Sequence, residues 1–193
     1  MAKKLESNFK NMFLVLFVTT LAAALALSLT YNATKEPIEK SKEAKQKAAI
    51  EEVIPGFDEL KEMVVKDASG NEIKIFDCLK GGESIGVAVQ SYSTSGFGGK
   101  IDVMVGFLPD GTITKTVVLK HDETPGLGDK MDAAKSDFPK QFWNKNIGEL
   151  QTNGKLLVTK DKGKIDAITA ATISSRAFCD AVDRAWETYQ NNK

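Results

Sequence analysis

The chain has 193 residues, 42% hydrophobic and 27% charged, an ordinary globular make-up with enough apolar content for one core of usual size. Lys+Arg and Asp+Glu balance at 26 each, so there is no basic field to draw in nucleic acid, and that partner class is argued against. Two cysteines, Cys78 and Cys179, and a single histidine, with no Cys-x-x-Cys, leave zinc, iron–sulfur and c-type haem sites without ligands. Two separate, partly buried thiols are the plainer reading of the cysteines, and pairing depends on the fold.

In chain order, the first feature is Met12–Tyr31, MFLVLFVTTLAAALALSLTY, which holds no charge. As a helix rising about 1.5 Å per residue it matches the hydrocarbon thickness of a bilayer. Lys3, Lys4 and Lys10 precede it against one Glu6, while Lys35 and Glu36 cancel after it. The positive excess predicts residues 1–11 in the cytoplasm and residues 32–193 outside the cytoplasmic membrane. A cleaved signal peptide competes with this anchor reading, although its apolar region is usually shorter. Either way the remaining chain is exported.

Residues 32–56 predict a juxtamembrane helix rich in Lys, Glu and Ala, stopped by Pro55-Gly56. A domain at 57–193 follows. Asn71–Cys78 predicts a strand. Ile85, Val87 and Val89 alternate with small residues, Ile101, Val103, Val105 and Phe107 alternate likewise, and Ile113–Leu119 is β-branched. Asp110-Gly111 is a hairpin signal, so an antiparallel meander is the economical arrangement. Residues 129–147 predict a helix bearing Phe138, Phe142 and Trp143, and Lys155–Lys160 a short strand. The last helix carries Ile173, Ala177, Ala181, Ala185 and Tyr189, with Phe178, Val182 and Trp186, on one face. Asp180, Asp183, Arg184 and Glu187 take the other. The predicted fold class is α+β: a twisted antiparallel sheet with packed helices, behind one N-terminal transmembrane helix.

Two constellations offer chemistry. In His121–Lys130, Thr124-Pro125-Gly126-Leu127 fits a type II turn, with glycine at the positive-φ position. Gly128 permits close backbone approach, Leu127 sits between two glycines where an apolar residue gains little from a core, and Asp129 is a candidate cap for the next helix. A strand-to-helix turn without a ligand is the alternative. In the second, Asp166–Ala177 reads DAITAATISSRA. Thr169 is a candidate N-cap, with the helix starting at Ala170 and Thr172 at its third position, where a capping box would hold a carboxylate. Free N–H groups and the helix dipole favour an anion there, such as a phosphate esterified to the Thr172 hydroxyl. Ser and Thr near a helix start also need no ligand at all. His121 reads as a hydrogen-bonded structural residue, and Ser91–Gly99 as a flexible hairpin loop able to line a pocket. No catalytic triad, Walker loop, dinucleotide fingerprint or metal-ligand set is present, and no catalytic residue is assigned.

Together, behind one membrane helix, these two segments resemble the covalent-FMN domain family, whose members include the G subunit of Rnf electron-transport complexes and the C subunit of the sodium-translocating NADH:quinone reductase. Asp166-Ala-Ile-Thr169-Ala170-Ala171-Thr172, with Ser174 and Ser175 following, matches the family's flavinylation motif, and Glu123–Gly128 (ETPGLG) matches its second hallmark unaltered. Gly98–Ile101 and Met104–Gly106 are also similar. The short chain and compact domain look more like the Rnf subunit than the quinone-reductase subunit. The resemblance implies FMN attached covalently through a phosphoester to Thr172 by a flavin transferase using FAD. It implies that Asp166 and Thr169 lie in the recognised segment, and that Glu123, Thr124, Gly126, Leu127 and Gly128 lie against the ring. It also implies an electron-carrier role beside the other membrane subunits of an Rnf-type ferredoxin:NAD⁺ oxidoreductase, a translocase that does not turn over through this subunit alone. A non-redox exported binding domain is the contrasting reading. The family usually has glycine where this chain has Ala170. Because alanine suits a first helical turn, helical φ/ψ is expected at position 170.

Overall fold

The computed structural model describes residues 8–193. Lys3, Lys4 and Glu6, on which the expected orientation partly rests, lie outside the described residues. The helix α1 runs unbroken over Phe9–Val53, through Pro37. The membrane span at 12–31 and the juxtamembrane helix at 32–56 are thus one element rather than two, because the Lys/Glu/Ala-rich stretch has the propensity to propagate a helix already nucleated. It ends at the Pro55-Gly56 stop, where Gly56 takes a φ of 81°.

The chain forms two compact units, one reaching to Ala44 and one spanning Lys45–Lys193. In the first, the α1 segment is long and apolar enough to cross a membrane, and none of its most apolar window is buried. That is unlike the core helix of a water-soluble protein, which hides its apolar residues.

The second unit is built on a six-stranded antiparallel sheet in the order β1-β2-β3-β4-β5-β6. The strands are β1 (Glu59–Lys66), β2 (Glu72–Lys80), β3 (Glu83–Ser93), β4 (Ile101–Phe107), β5 (Thr112–Lys120) and β6 (Lys145–Asn146). The predicted meander is therefore present, with strand alternation dividing its side chains between two faces. Val87, Val89, Val103, Val105 and Phe107 join one core with the C-terminal helix α3 (Thr172–Asn191). Ala88, Met104, Phe76 and Cys78 face the other way and bury Ala49, Ile50 and Val53 of α1. Fully burying each large side chain of these cores contributes about 1.5–3 kcal/mol. The strand β1 had no sequence signal, since all its side chains but Val65 are exposed and backbone pairing to β2 is its main tie to the sheet.

Several expectations are corrected. The helix expected at 129–147 is broken into 3-10 turns at Gly128–Met131 and Phe138–Gln141, the short β6, and a four-residue α2 (Ile147–Leu150). Pro139 offers no N–H, and the side chains of Asp132 and Ser136 capture the N–H groups of Ala134 and Phe138. Phe138 and Phe142 still reach the core, each within 6 Å of the Phe178 ring. The strand expected at Lys155–Lys160 reduces to isolated bridges, Thr152 to Lys155 and Val158 to Ile165, followed by a 3-10 turn at Thr159–Asp161. On α3 the expected apolar face holds, with two exceptions: Ile173 is exposed and Asp183 is buried. The Asp183 carboxylate accepts the Leu156 N–H at 2.6 Å and the Gln151 amide at 2.9 Å, while burial pushes its pKa above the ordinary range. Cys78 and Cys179 are free and fully buried in different cores. Burial, reinforced by Asp77 and Asp183 respectively, pushes their thiols up to about 11 and about 12.

Candidate functional site

Three segments distant in sequence meet around a cavity of about 320 Å³: the loop after β3, the turn after β5 and the start of α3. The turn is the tightest of them. The Leu127 N–H donates to the Thr124 carbonyl at 3.2 Å, and Gly126 takes a φ of 79°, as a type II turn at Thr124–Leu127 requires. Leu127 is thereby presented to the cavity rather than to a core. Asp129 does not cap the following 3-10 turn; it is buried and paired with Lys135 at 2.9 Å, and that ammonium holds its carboxyl below the usual range.

Glu123 is buried and ties all three segments together. Its Oε1 accepts the Gly98 N–H at 3.0 Å, its Oε2 accepts the Ser174 hydroxyl at 2.6 Å, and its own N–H donates to His121 Nδ1 at 3.1 Å. His121 is thus structural, as expected. Gly128 lies against the Glu123 carboxylate and the Ser174 hydroxyl, where a Cβ would collide with both. The close approach that this glycine permits is therefore partly internal: it lets the turn seat on the start of α3. The role of Glu123 had no local signal, because its partners lie 25 and 51 residues away.

The Asp166–Ser175 segment departs from expectation at its centre. The helix begins at Thr172, with Ala171 as an N-cap that offers no side-chain hydrogen bond, so Thr169 is not the cap and Thr172 is the first helical residue rather than the third. Ala170 has a φ of 62°, not helical φ/ψ. It is the third residue of a turn closed by the Ala171 N–H on the Ile168 carbonyl at 3.0 Å, and this reversal imposes the left-handed backbone. An alanine there costs about 1–2 kcal/mol relative to an ordinary conformation, which explains a glycine at this position on backbone grounds alone. Ser175 braces the turn: its Oγ accepts the Ile168 N–H and donates to the Ala171 carbonyl, both at 2.9 Å. Asp166 is fixed through its backbone, hydrogen-bonded in both directions by Gln141, while the side chains of Asp166 and Thr169 face solvent.

At the cavity's edge the Thr172 hydroxyl accepts a hydrogen bond from Lys160 Nζ at 2.9 Å. The 3-10 turn that carries Lys160 is clamped to α3 by a bidentate pair, Arg176 to Asp161 at 2.7 and 2.6 Å. Three large apolar side chains surround the opening while remaining exposed: Phe97 (69%), Ile173 (47%) and Leu127 (40%). Phe97 and Ile173 are not site residues on sequence grounds, and the glycines around Phe97, like those around Leu127, are the available hint. The arrangement offers an apolar slot open at one side, with a hydroxyl, a cation and an uncapped helix N-terminus at its end.

Residues 96–187, which include every residue lining this cavity, match the FMN-binding domain family. Over 203 aligned residues the chain is 32% identical to the G subunit of the Na(+)-translocating ferredoxin:NAD(+) oxidoreductase complex of Acetobacterium woodii, covering 98% of this chain and 97% of that protein. It is 31% identical to the G subunit of the ion-translocating oxidoreductase complex of Pseudoalteromonas atlantica, over 93% of this chain and 87% of that one. To the corresponding protein of Vibrio atlanticus it is 33% identical, over 93% and 90%. Whole-length similarity, together with the FMN-binding match over the cavity, means that the chain belongs to the family formed by the G subunits of ion-translocating oxidoreductase complexes.

Proposed function

We propose that this protein is a membrane-anchored electron-carrier subunit of an ion-translocating, Rnf-type oxidoreductase complex, working through FMN bound covalently to Thr172. The observation that carries the reading is the position of the Thr172 hydroxyl, at the end of an apolar slot and at the first position of a 20-residue helix. FMN has a broad flat ring system, apolar on its faces and dimethylbenzene edge, and an anionic phosphate, and the slot suits both. Phe97, Leu127 and Ile173 flank the ring, while Thr172, Lys160 and the free N–H groups of α3 receive the phosphate. Bound FMN supplies the electron transfer; the protein supplies placement and electrostatics. Covalent attachment keeps the cofactor in a site open enough for electron exchange with neighbouring subunits.

Asp166 and Thr169, with exposed side chains on a braced backbone, suit recognition by a flavin transferase. The exposed apolar span of α1 suits a single-pass anchor in the bacterial cytoplasmic membrane. The Lys3, Lys4 and Lys10 excess puts the N-terminus in the cytoplasm and the flavin domain outside. Intact mass after co-expression with a transferase tests the reading. A gain equal to FMN minus water, mapped to the Thr172 peptide and absent in Thr172→Ala, is expected. A colourless, unmodified wild-type protein would instead support a non-redox binding domain.

A further inference from the structure

We propose that Lys160 is the charge partner of the Thr172 oxygen: it orients that oxygen for phosphoryl transfer and then holds the resulting phosphodiester. The inference rests on the reading of Thr172 as the attachment point. It is carried by the hydrogen bond from Lys160 Nζ to Thr172 Oγ1 at 2.9 Å, which links chain positions 12 residues apart. Among the described residues no carboxylate forms an ion pair with Lys160. Arg176, one helical turn beyond Thr172, already has its guanidinium engaged on both oxygens of Asp161. That same pair fixes the Thr159–Asp161 turn against α3 and so sets where Lys160 reaches. On the buried side of the first helical turn, Ser174 is committed to Glu123 and Ser175 to the Ile168–Ala171 turn. Lys160 therefore contributes an uncompensated positive charge on the solvent side of Thr172, beside an N-terminus that lacks a cap.

The chemistry assigns the lysine a definite part. In the modification, a bond forms between Thr172 Oγ1 and the FMN-side phosphorus of FAD, and the phosphoanhydride bond to AMP breaks. AMP leaves with that electron pair, and the hydroxyl proton goes to a base. No redox change occurs. A lysine that donates to Oγ1 is not that base, so the proton must pass to a group on the transferase. What the ammonium does is stabilise negative charge as it builds on Oγ1 and the phosphoryl oxygens. Afterwards it faces the single negative charge of the diester, which the helix N–H groups alone otherwise balance.

The test uses the full chain, with a limiting amount of transferase and FAD, and follows the modified fraction over time by intact mass. Lys160→Met is expected to slow modification about tenfold, less than the loss of a fully buried donor because this site is exposed. Lys160→Arg should recover most of the rate, and Lys160→Glu should be slower than Lys160→Met. Thermal unfolding of each unmodified variant should match the wild type, which separates a charge effect from misfolding. Modification of Lys160→Met at the wild-type rate overturns the role of Lys160 while leaving the attachment site standing. A Thr172→Ala protein that still gains flavin overturns the attachment site, and this inference with it.

Discussion

The two motif segments that meet at the cavity are built in opposite ways. The Glu123–Gly128 turn is anchored inward: its carboxylate is buried, its last glycine seats on α3, and only Leu127 and its neighbours in the turn reach the opening. The Asp166–Thr172 segment buries only Ile168 and Ala171; Gln141 and Ser175 hold its backbone while Asp166, Thr169 and Ala170 stay exposed. The difference suits the parts proposed for each. A wall for a ring system needs rigidity, which comes from buried, satisfied polar groups. A segment proposed as the target of a second enzyme needs exposed side chains, and main-chain hydrogen bonds order it without covering them.

Substitutions can break that contrast. The largest effect is expected at Thr172: replacement by alanine should abolish covalent flavin while leaving the fold intact, since its side chain is tied only to an exposed lysine. Gly128→Ala should cost about 3 kcal/mol, because the added methyl meets the Glu123 carboxylate and the Ser174 hydroxyl together, and urea denaturation would show it. If that variant is as stable as the wild type, the turn is not seated as described. Glu123→Ala should cost about 2 kcal/mol by leaving the Ser174 hydroxyl and the Gly98 N–H without their acceptor, with a matching fall in the denaturation midpoint.

On the presented side the effects should be smaller and one has the opposite sign. Ala170→Gly should stabilise the protein by about 1 kcal/mol, since relief of the left-handed strain exceeds the added chain entropy; a loss of stability would contradict the positive φ. Asp161→Asn should have the smallest effect, because its pair with Arg176 is at the surface. The Arg176 guanidinium holds the Asp161 carboxyl below the usual range. Its contribution is therefore present above the ordinary aspartate pKa and is lost as pH falls through the depressed value. Melting curves of wild type and Asp161→Asn should differ slightly near neutral pH and converge in acid.

Much of the architecture was legible from local pattern. Strand alternation in β3–β5, the Asp110-Gly111 hairpin and the apolar stripe of α3 each express a period that the residues carry themselves. The cavity's lining was half legible. The type II turn at Gly126 was readable, but Thr169, a good cap residue that the chain does not use as one, points to a start of α3 that is too early. The charge of Asp183 points to solvent, yet a backbone N–H from Leu156 and the Gln151 side chain satisfy it in the interior.

By itself, the sequence determined the membrane-length apolar helix, the meander and the final amphipathic helix. Those features depend on neighbours a few residues apart, so periodicity and turn chemistry suffice to specify them. Only the tertiary structure decided that Glu123 joins three segments, that Lys160 reaches Thr172, that Phe97 and Ile173 flank the slot and that Ala170 is left-handed. The first three are contacts between positions far apart in the chain. The last is set by a turn whose closure depends on Ser175 reaching back from the helix it precedes, and neither kind of constraint leaves a periodic trace along the sequence.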